Sequence, residues 1–292
     1  MSATVKSFFD PDTCTWTYVV ADASSRHCAI IDPVLDFDPA SGKLSSRSAN
    51  QIEDYVRQQD LTVDWLLETH VHADHLTASE YLRSKLGGRI GIGNRVGEVQ
   101  AIFGSVFHAG PDFRTDGSQF DQLFADNETF RVGDLTFRVM HTPGHTPACV
   151  TYVTEDIPGG AAFVGDTLFM PDYGTARTDF PGGDAGTLFD SIQRILALPG
   201  TTTLFMCHDY LPEGRTVYQD RTTVDDERRA NIHLASVDRM QFIAARESRD
   251  SKLSAPRLLL PAIQVNMHAG ALPVPEDNGV RYLRIPLKVT LQ

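Results

Sequence analysis

The chain has 292 residues, with 41% hydrophobic and 22% charged side chains and a formal net charge of -12 at pH 7. This length allows one large domain with an ample core, and the composition is that of a soluble globular protein. The negative charge and the lack of a basic run argue against a nucleic-acid partner. Apolar runs such as residues 258–260 are far too short for a membrane span.

The cysteines and the first residues predict a reducing environment. Cys14, Cys28, Cys149 and Cys207 form no CxxC pair. The segment MSATVKSFFD contains one lysine and no long apolar stretch, which does not match a secretory signal. Free thiols are the default in such a chain, so we expect a cytoplasmic protein without disulfides.

The first half of the chain alternates between predicted strands and helices. Apolar or alternating segments indicate strands, and apolar residues at helical spacing indicate helices. In chain order these are a hairpin of strands at 15–21 and 27–32, a helix at 49–59, a strand at 63–67, a helix at 76–85, a strand at 90–93 and a short helix at 98–103. Two polar segments, 36–48 and 107–126, are predicted loops, and we expect the second to lie over the functional site.

The second half begins with strands and ends with helices. The predicted elements are strands at 129–132, 135–140, 148–153 and 161–164, a helix capped by Asp184 and ended by Pro199-Gly200, a strand at 203–207, and helical segments within 224–245. A Pro-punctuated C-terminal extension follows from about residue 254. Since there is no internal repeat or clear linker, the sequence predicts a single α/β domain of sheets flanked by helices over residues 1–292.

The stretch THVHADH at residues 69–75 directly follows a predicted buried strand. Loops at strand ends are where α/β proteins usually place functional residues. His70, His72, Asp74 and His75 are three imidazoles and one carboxylate within six residues, and these groups are the usual ligands of borderline metals. The stretch therefore predicts a metal site. The spacing leaves open whether Asp74 and His75 reach the same metal or a second one.

Three more strand ends carry polar residues. A Pro-Gly turn presents His145 from a rigid base, and Asp166 and His208 follow two other strands. His141 is a weaker candidate because it still belongs to its strand. The donors gathered from four strand ends are His70, His72, Asp74, His75, His145, Asp166 and His208. Chance alone is a poor explanation for such a set. We therefore predict a metal centre, with room for one metal or two.

The order THxHxDH, PGHT, GD and a strand-end histidine resembles the metallo-β-lactamase superfamily. This resemblance implies an αββα sandwich with metal at one edge, between the two sheets. Within the superfamily, nearly the whole chain is most similar to the persulfide dioxygenases, also called sulfur dioxygenases. The segments behind this similarity are ETHVHADHLTA, HTPGHTPACV, GDTLF, RTDF, HDY and VNM, at residues 68–78, 141–150, 165–169, 177–180, 208–210 and 265–267.

In that family one Fe(II) is held by two histidines and one aspartate, which the resemblance assigns to His70, His145 and Asp166. Such a triad leaves coordination positions open for water, substrate and O₂. By the same resemblance, residues around these ligands orient them and tune the iron. These residues are His72, Asp74, His75 and His208. His72 also remains a candidate ligand.

The resemblance further implies that glutathione persulfide is oxidised by O₂ to sulfite and glutathione. Glutathione has two carboxylates, so we expect a cation near the metal. Arg177 matches the family's substrate-binding arginine, and Tyr210 matches the glutathione-contacting tyrosine of related thioesterases. Residues 171–176 form a longer segment than in mitochondrial members, which is a departure from the pattern. The alternatives are a surface ion pair for Arg177 and packing alone for Tyr210.

The main alternative function is a glyoxalase II-like thioester hydrolase, in which all seven donors would bind two zinc ions. The run at residues 177–180 favours the dioxygenase. A β-lactamase, a lactonase or a nuclease finds no other support in the chain. A non-catalytic persulfide sensor would not need the complete donor set. The sequence leaves open whether the chain forms a homodimer.

Overall fold

The structure, a computed structural model, describes residues 3–287. Two six-stranded sheets face each other, and helices pack on their outer sides. The strand orders are β1-β2-β3-β6-β8-β9 and β10-β11-β12-β13-β14-β15, and a small third sheet has the order β5-β4-β7. This arrangement confirms the predicted αββα sandwich. Residues 288–292, the end of the predicted C-terminal extension, lie outside the described residues.

The elements have the following bounds. The strands are β1 Ala3–Asp10, β2 Thr15–Asp22, β3 His27–Ile31, β4 Val34–Asp38, β5 Lys43–Ser45, β6 Thr62–Leu67, β7 Leu76–Thr77, β8 Arg89–Gly93, β9 Gln122–Phe124, β10 Thr129–Val132, β11 Leu135–His141, β12 Val150–Thr154, β13 Ala161–Phe163, β14 Thr203–Phe205 and β15 Arg221–Thr223. The helices are α1 Arg47–Gln58, α2 Ser79–Leu86, α3 Val96–Phe107, α4 Ala185–Leu196, α5 Val224–Ala230, α6 Arg239–Asp250 and α7 Leu259–Asn266.

Three layers of buried side chains hold the sandwich together. The middle layer lies between the sheets and is rich in aromatic residues such as Tyr152 and Phe163. The outer layers lie between each sheet and its helices; Ile52 of α1 belongs to one and Leu188 of α4 to the other. Alternating residues of strands such as β2 therefore enter different layers, as expected for a sheet buried on both faces.

Strand direction brings the functional loops to one edge. Strands β3, β6 and β8 run parallel to one another, and so do β13 and β14. The carboxyl ends of parallel strands meet at the same edge of a sheet, where ligands usually bind. An isolated bridge between Thr15 and His208 and a hydrogen bond from the Val150 amide to the Thr69 carbonyl join the two sheets there.

The structure differs from the sequence prediction in three segments. The predicted loop at 36–48 contains most of the β4–β5 hairpin, which pairs with β7 inside the predicted helix at 76–85. The C-terminal extension contains α7, whose apolar residues enter the core of the first sheet. For β7 and α7 the partners are distant in sequence, so local pattern did not indicate these elements. Among the described residues, no helix combines the length and hydrophobicity needed to cross a membrane.

The four cysteines are free thiols, as predicted. Cys28, Cys149 and Cys207 are buried, whereas Cys14 is partly exposed. Burial raises the pKa of Cys28 and of Cys149 to about 12. Burial, together with the nearby charge of Asp32, also raises the pKa of Cys207 well above its usual value. These three thiols stay protonated near neutral pH.

Candidate metal centre

The loop after β6 is bent so that its histidines converge. Asp32, at the end of β3, accepts hydrogen bonds from the backbone amide and the hydroxyl of Thr69, both at 2.8 Å. The side-chain amide of Asn266 donates to the carbonyls of His72 and His75, each at 2.8 Å. An aspartate from one sheet and an asparagine from α7 therefore fix the two ends of the histidine loop.

His70, His145 and Asp166 come together as predicted from the resemblance. Asp166 Oδ2 lies 3.9 Å from His70 Nε2 and 3.7 Å from His145 Nε2. His145 Nδ1 lies 2.8 Å from the carbonyl of Arg177, which only accepts, so this nitrogen holds the ring proton. The lone pair of His145 therefore lies on Nε2, facing His70 and Asp166, as a metal ligand requires.

The other candidate donors adjoin this triad. His208 Nε2 lies 3.1 Å from Asp74 Oδ2 and 3.3 Å from Asp166 Oδ1. His75 Nδ1 lies 3.1 Å from the Leu76 carbonyl, which places its lone pair on Nε2. The structure thus brings together all seven side chains. Their division between ligands and surrounding residues remains a prediction.

His72 is oriented differently from the other histidines. Its Nε2 lies 2.9 Å from Asp32 Oδ1 and 3.4 Å from Glu68 Oε2, and both carboxylates are buried. This leaves Nδ1 of His72 directed to the other side of the ring. Neither carboxylate was indicated as a site residue by sequence, although Asp32-Pro33 ends a predicted strand and could have been a signal for one of them.

The buried polar atoms of this cluster fit a metal ion. Six of them have no well-aligned hydrogen bond within residues 3–287: His70 Nε2, His72 Nδ1, Asp74 Oδ2, His75 Nε2, Asp166 Oδ1 and His208 Nε2. Unpaired buried polar atoms are costly and rare in folded proteins. Imidazole nitrogens and carboxylate oxygens suit iron or zinc, so coordination of a divalent metal is the arrangement that satisfies these atoms.

The protonation states of these side chains also support metal binding. Burial and the charge of His72 lower the pKa of His70 well below its usual value and that of His75 to about 4. Burial opposes ionisation of Asp166, but the neighbouring His208 and His70 hold its pKa well below the usual range. Neutral rings and an ionised carboxylate are the forms that bind a metal.

The pKa of His208 shifts in the opposite direction from those of His70 and His75, because His208 lies between two carboxylates. Burial lowers its pKa, but the charges of Asp74 and Asp166 outweigh this and raise it to about 9. A metal ion that uses His208 as a ligand must therefore displace a proton near neutral pH.

A cavity of about 390 Å³ opens onto the cluster. Its wall includes Asp74, His145 and Asp166 at one end, with the aromatic residues Phe169, Tyr173, Phe180 and Tyr210 beside them. Four arginines also line it: Arg177, Arg246, Arg249 and Arg257. Sequence reasoning identified only the first of these. No residue of the 107–126 segment lines the cavity, so the expectation that this segment lies over the site was wrong. The segment packs instead against α3 and against His268, which follows α7.

The two predicted substrate residues both line the cavity. The Arg177 guanidinium lies 2.6 Å from each carboxylate oxygen of Asp179 and donates to the Ser254 carbonyl at 2.8 Å. Tyr210 stacks on His208, with ring centroids 5.5 Å apart and planes at 19°. The ion pair expected as an alternative for Arg177 is therefore present, while its contact with substrate remains a prediction. Tyr210 has both a packing contact and access to the cavity.

Replacing Asn266 by alanine is expected to weaken metal binding by ~10–100-fold, as for other residues that orient ligands. The substitution leaves the carbonyls of His72 and His75 without their donor, so the loop loses its fixed curvature. Equilibrium dialysis against a metal buffer measures the change. Gln264→Ala on the same helix is the control, because the side-chain amide of Gln264 donates, among the described residues, to the carbonyls of Leu260 and Arg284 and not to the histidine loop. Equal affinities in the two variants would show that Asn266 does not orient the ligands.

Comparison with known proteins identifies the fold and several close relatives. Residues 10–208 match the family described as the metallo-beta-lactamase superfamily. A probable metallo-hydrolase of Burkholderia pseudomallei is 56% identical over 291 residues, which cover 97% of this chain and 99% of that protein. A glyoxylase B2 of Dictyostelium discoideum is 44% identical over 292 residues and 99% of both chains. The chain spans only 64% of a beta-lactamase hydrolase-like protein of Xylella fastidiosa, to which it is 51% identical.

More distant relatives include persulfide dioxygenases. The mitochondrial persulfide dioxygenase ETHE1 of Homo sapiens is 32% identical over 267 residues, which cover 91% of this chain and 88% of that protein. The crystal structure of ETHE1 from Myxococcus xanthus is similar with a TM-score of 0.72 and 29% identity, over 92% of this chain and all of that one. The similarity to both proteins extends well beyond the metal-binding motifs.

Proposed function

This chain belongs to the metallo-β-lactamase superfamily, and we propose that it is an iron-dependent persulfide dioxygenase that converts glutathione persulfide, O₂ and one water to sulfite, glutathione and two protons. The observation that carries the proposal is the group formed by His70, His145 and Asp166, whose donor atoms lie within 4.8 Å of one another beside an open cavity. Two histidines and one carboxylate are the ligand set of non-haem Fe(II) oxygenases. The relatives named as persulfide dioxygenases support the same choice.

His70, His145 and Asp166 would hold one Fe(II) per chain. When bound, this iron would supply open coordination positions and the redox chemistry that O₂ requires. The protein's own contribution is orientation: the carbonyl of Arg177 holds the proton of His145 on Nδ1, and Thr69 contacts Nδ1 of His70 at 3.0 Å. Both contacts keep the two Nε2 lone pairs directed at Asp166.

The cavity walls would position the persulfide beside the metal ligands. Phe169 and Phe180 are largely buried aromatic residues beside the metal ligands, and His145 packs edge-on against Phe180 with centroids 5.1 Å apart. Asp74, His75 and His208 would act on the reaction by holding charge and protons next to the triad, as the contacts of His208 with two carboxylates suggest. Arg177 and Tyr210 are the proposed substrate contacts of this wall.

A second candidate is a thioester hydrolase with two metal ions, with zinc in place of iron. It is favoured by His72, Asp74 and His75, whose donor atoms form a second group within 4.8 Å of one another. The relative named glyoxylase B2 also supports it. The two candidates differ in metal number and in whether O₂ is consumed.

Iron-loaded protein given freshly prepared glutathione persulfide is expected to consume O₂ and to form one sulfite per O₂. The measurement combines an oxygen electrode with a sulfite assay, and metal analysis of the same sample is expected to give one iron per chain. Zinc-loaded protein is the control and is expected to consume no O₂, because zinc has no redox chemistry. Absence of uptake, together with hydrolysis of a glutathione thioester by the zinc-loaded protein, would replace the dioxygenase by the second candidate.

A further inference from the structure

The arginines that line the cavity differ in whether their charge is already compensated. Arg177 is paired with both oxygens of Asp179 at 2.6 Å. Arg246 is buried and paired with Asp250 Oδ1 at 2.6 and 2.9 Å. A guanidinium in such a paired geometry has few donors left for a ligand. Most donors of these two guanidinium groups are therefore already used within the protein.

Arg249 differs from Arg177 and Arg246. Within residues 3–287 its guanidinium forms no ion pair, and its closest polar contact is Nη1 to His233 Nε2 at 2.8 Å. The Thr175 amide lies 3.0 Å from the other ring nitrogen, and a neutral ring has only one acceptor nitrogen for these two donors. Burial and the charges of Arg246 and Arg249 lower the pKa of His233 to about 4, which keeps the ring neutral. His233 therefore carries no charge that could balance that of Arg249.

Aromatic rings connect Arg249 to the metal centre. Its guanidinium lies over the ring of Tyr173, 5.8 Å from the centroid. Tyr173 packs against Tyr210 at 4.9 Å, and Tyr210 stacks on His208 at 5.5 Å. The uncompensated charge is therefore separated from the metal ligands by two aromatic side chains that line the same cavity. A small thiol whose sulfur lies at the metal centre would extend along this wall toward Arg249.

We propose that Arg249 binds a carboxylate of the substrate and makes the cavity selective for acidic low-molecular-weight thiols over neutral ones. The proposal rests on the proposed function for the position of the sulfur, since the metal centre defines one end of the ligand. Arg257, which also lines the cavity and forms no ion pair within residues 3–287, is placed for a second carboxylate. A guanidinium binds a carboxylate by two parallel hydrogen bonds, which gives both affinity and orientation.

The test is calorimetric titration of the metal-loaded, oxygen-free protein with glutathione and with glutathione diethyl ester, in which both carboxyl groups are blocked. Arg249→Gln is expected to weaken glutathione binding by ~10–100-fold, as for loss of a charged hydrogen bond, and to leave ester binding unchanged. Arg249→Lys should retain part of the affinity because the charge is kept. Arg239→Gln on the same helix is the control, since the exposed Arg239 pairs with Asp190 away from the cavity.

Three results would overturn the proposal. These are wild-type glutathione affinity in Arg249→Gln, equal losses for glutathione and its ester, and a charge-dependent loss in Arg177→Gln in place of Arg249→Gln. No turnover is measured in this experiment. A chain that proved to be a glutathione thioester hydrolase would fail the oxygen-uptake test yet still show the Arg249 dependence, so the two proposals fail separately.

Discussion

Asp166→Ala is expected to yield a folded protein that retains neither iron nor activity. The carboxylate is the one member of the triad that contacts both imidazoles, with Oδ2 at 3.9 Å from His70 and 3.7 Å from His145. Without it, two neutral histidines remain, which is too few ligands to hold Fe(II) against dissociation during gel filtration. The loss of affinity should exceed the ~10–100-fold that loss of a ligand-orienting residue costs.

Metal analysis after desalting, with oxygen uptake on the same sample, measures this effect. His145→Ala should behave in the same way, because it removes another member of the triad. Asp190→Ala is the control, since Asp190 is an exposed residue of α4 that pairs with Arg239. One iron per chain retained by both Asp166→Ala and His145→Ala would reject the assignment of the triad.

Gly144→Ala is expected to produce the largest loss of stability, about 3 kcal/mol or more in the free energy of unfolding. Gly144 has φ +136°, a conformation that side chains with a Cβ rarely adopt, and an added Cβ would lie 2.3 Å from the Leu188 Cα. The backbone cannot relax easily there, because the Gly144 carbonyl accepts the Asp184 amide and the Pro143 carbonyl accepts the Ser191 hydroxyl. Since His145 is the next residue, the metal site should be lost with the turn.

Urea denaturation followed by circular dichroism measures the change. The matched control is Gly42→Ala, where φ is +66° and no atom lies within 4 Å of the added Cβ. That variant retains the cost of a left-handed backbone, roughly 1–2 kcal/mol, without the collision. Equal destabilisation of the two variants would mean that the contact with α4 contributes nothing.

The candidate donors could be predicted from sequence because each lies in a segment that follows an apolar strand. His70, Asp166 and His208 need only the assumption that parallel strands end at one edge, and the observed strand directions agree with it. The same local patterns predicted the two hairpins and the buried stripe of α4, including Asp184 as its cap, which accepts from the Thr187 amide at 2.6 Å.

The remaining parts of the site depend on contacts between distant residues. Asn266 lies 191 residues from His75, and nothing near either residue in the sequence indicates the hydrogen bond between them. The distinction between Arg177 and Arg249 is only partly visible in sequence, because the ion pair of Arg177 is local whereas the surroundings of Arg249 depend on the fold. Asp179 follows Arg177 by two residues, whereas the neighbour of Arg249 is the distant His233.

The state of the cysteines has a consequence for the proposed activity on persulfides. Transfer of sulfane sulfur to a protein requires a thiolate nucleophile, and a buried thiol with a pKa of about 12 supplies almost none at neutral pH. Cys28, Cys149 and Cys207 are therefore protected from persulfidation by the packing of the fold. Only Cys14, partly exposed at the cavity, is accessible to such self-modification. An enzyme with the proposed activity would therefore expose one of its four thiols to the substrate.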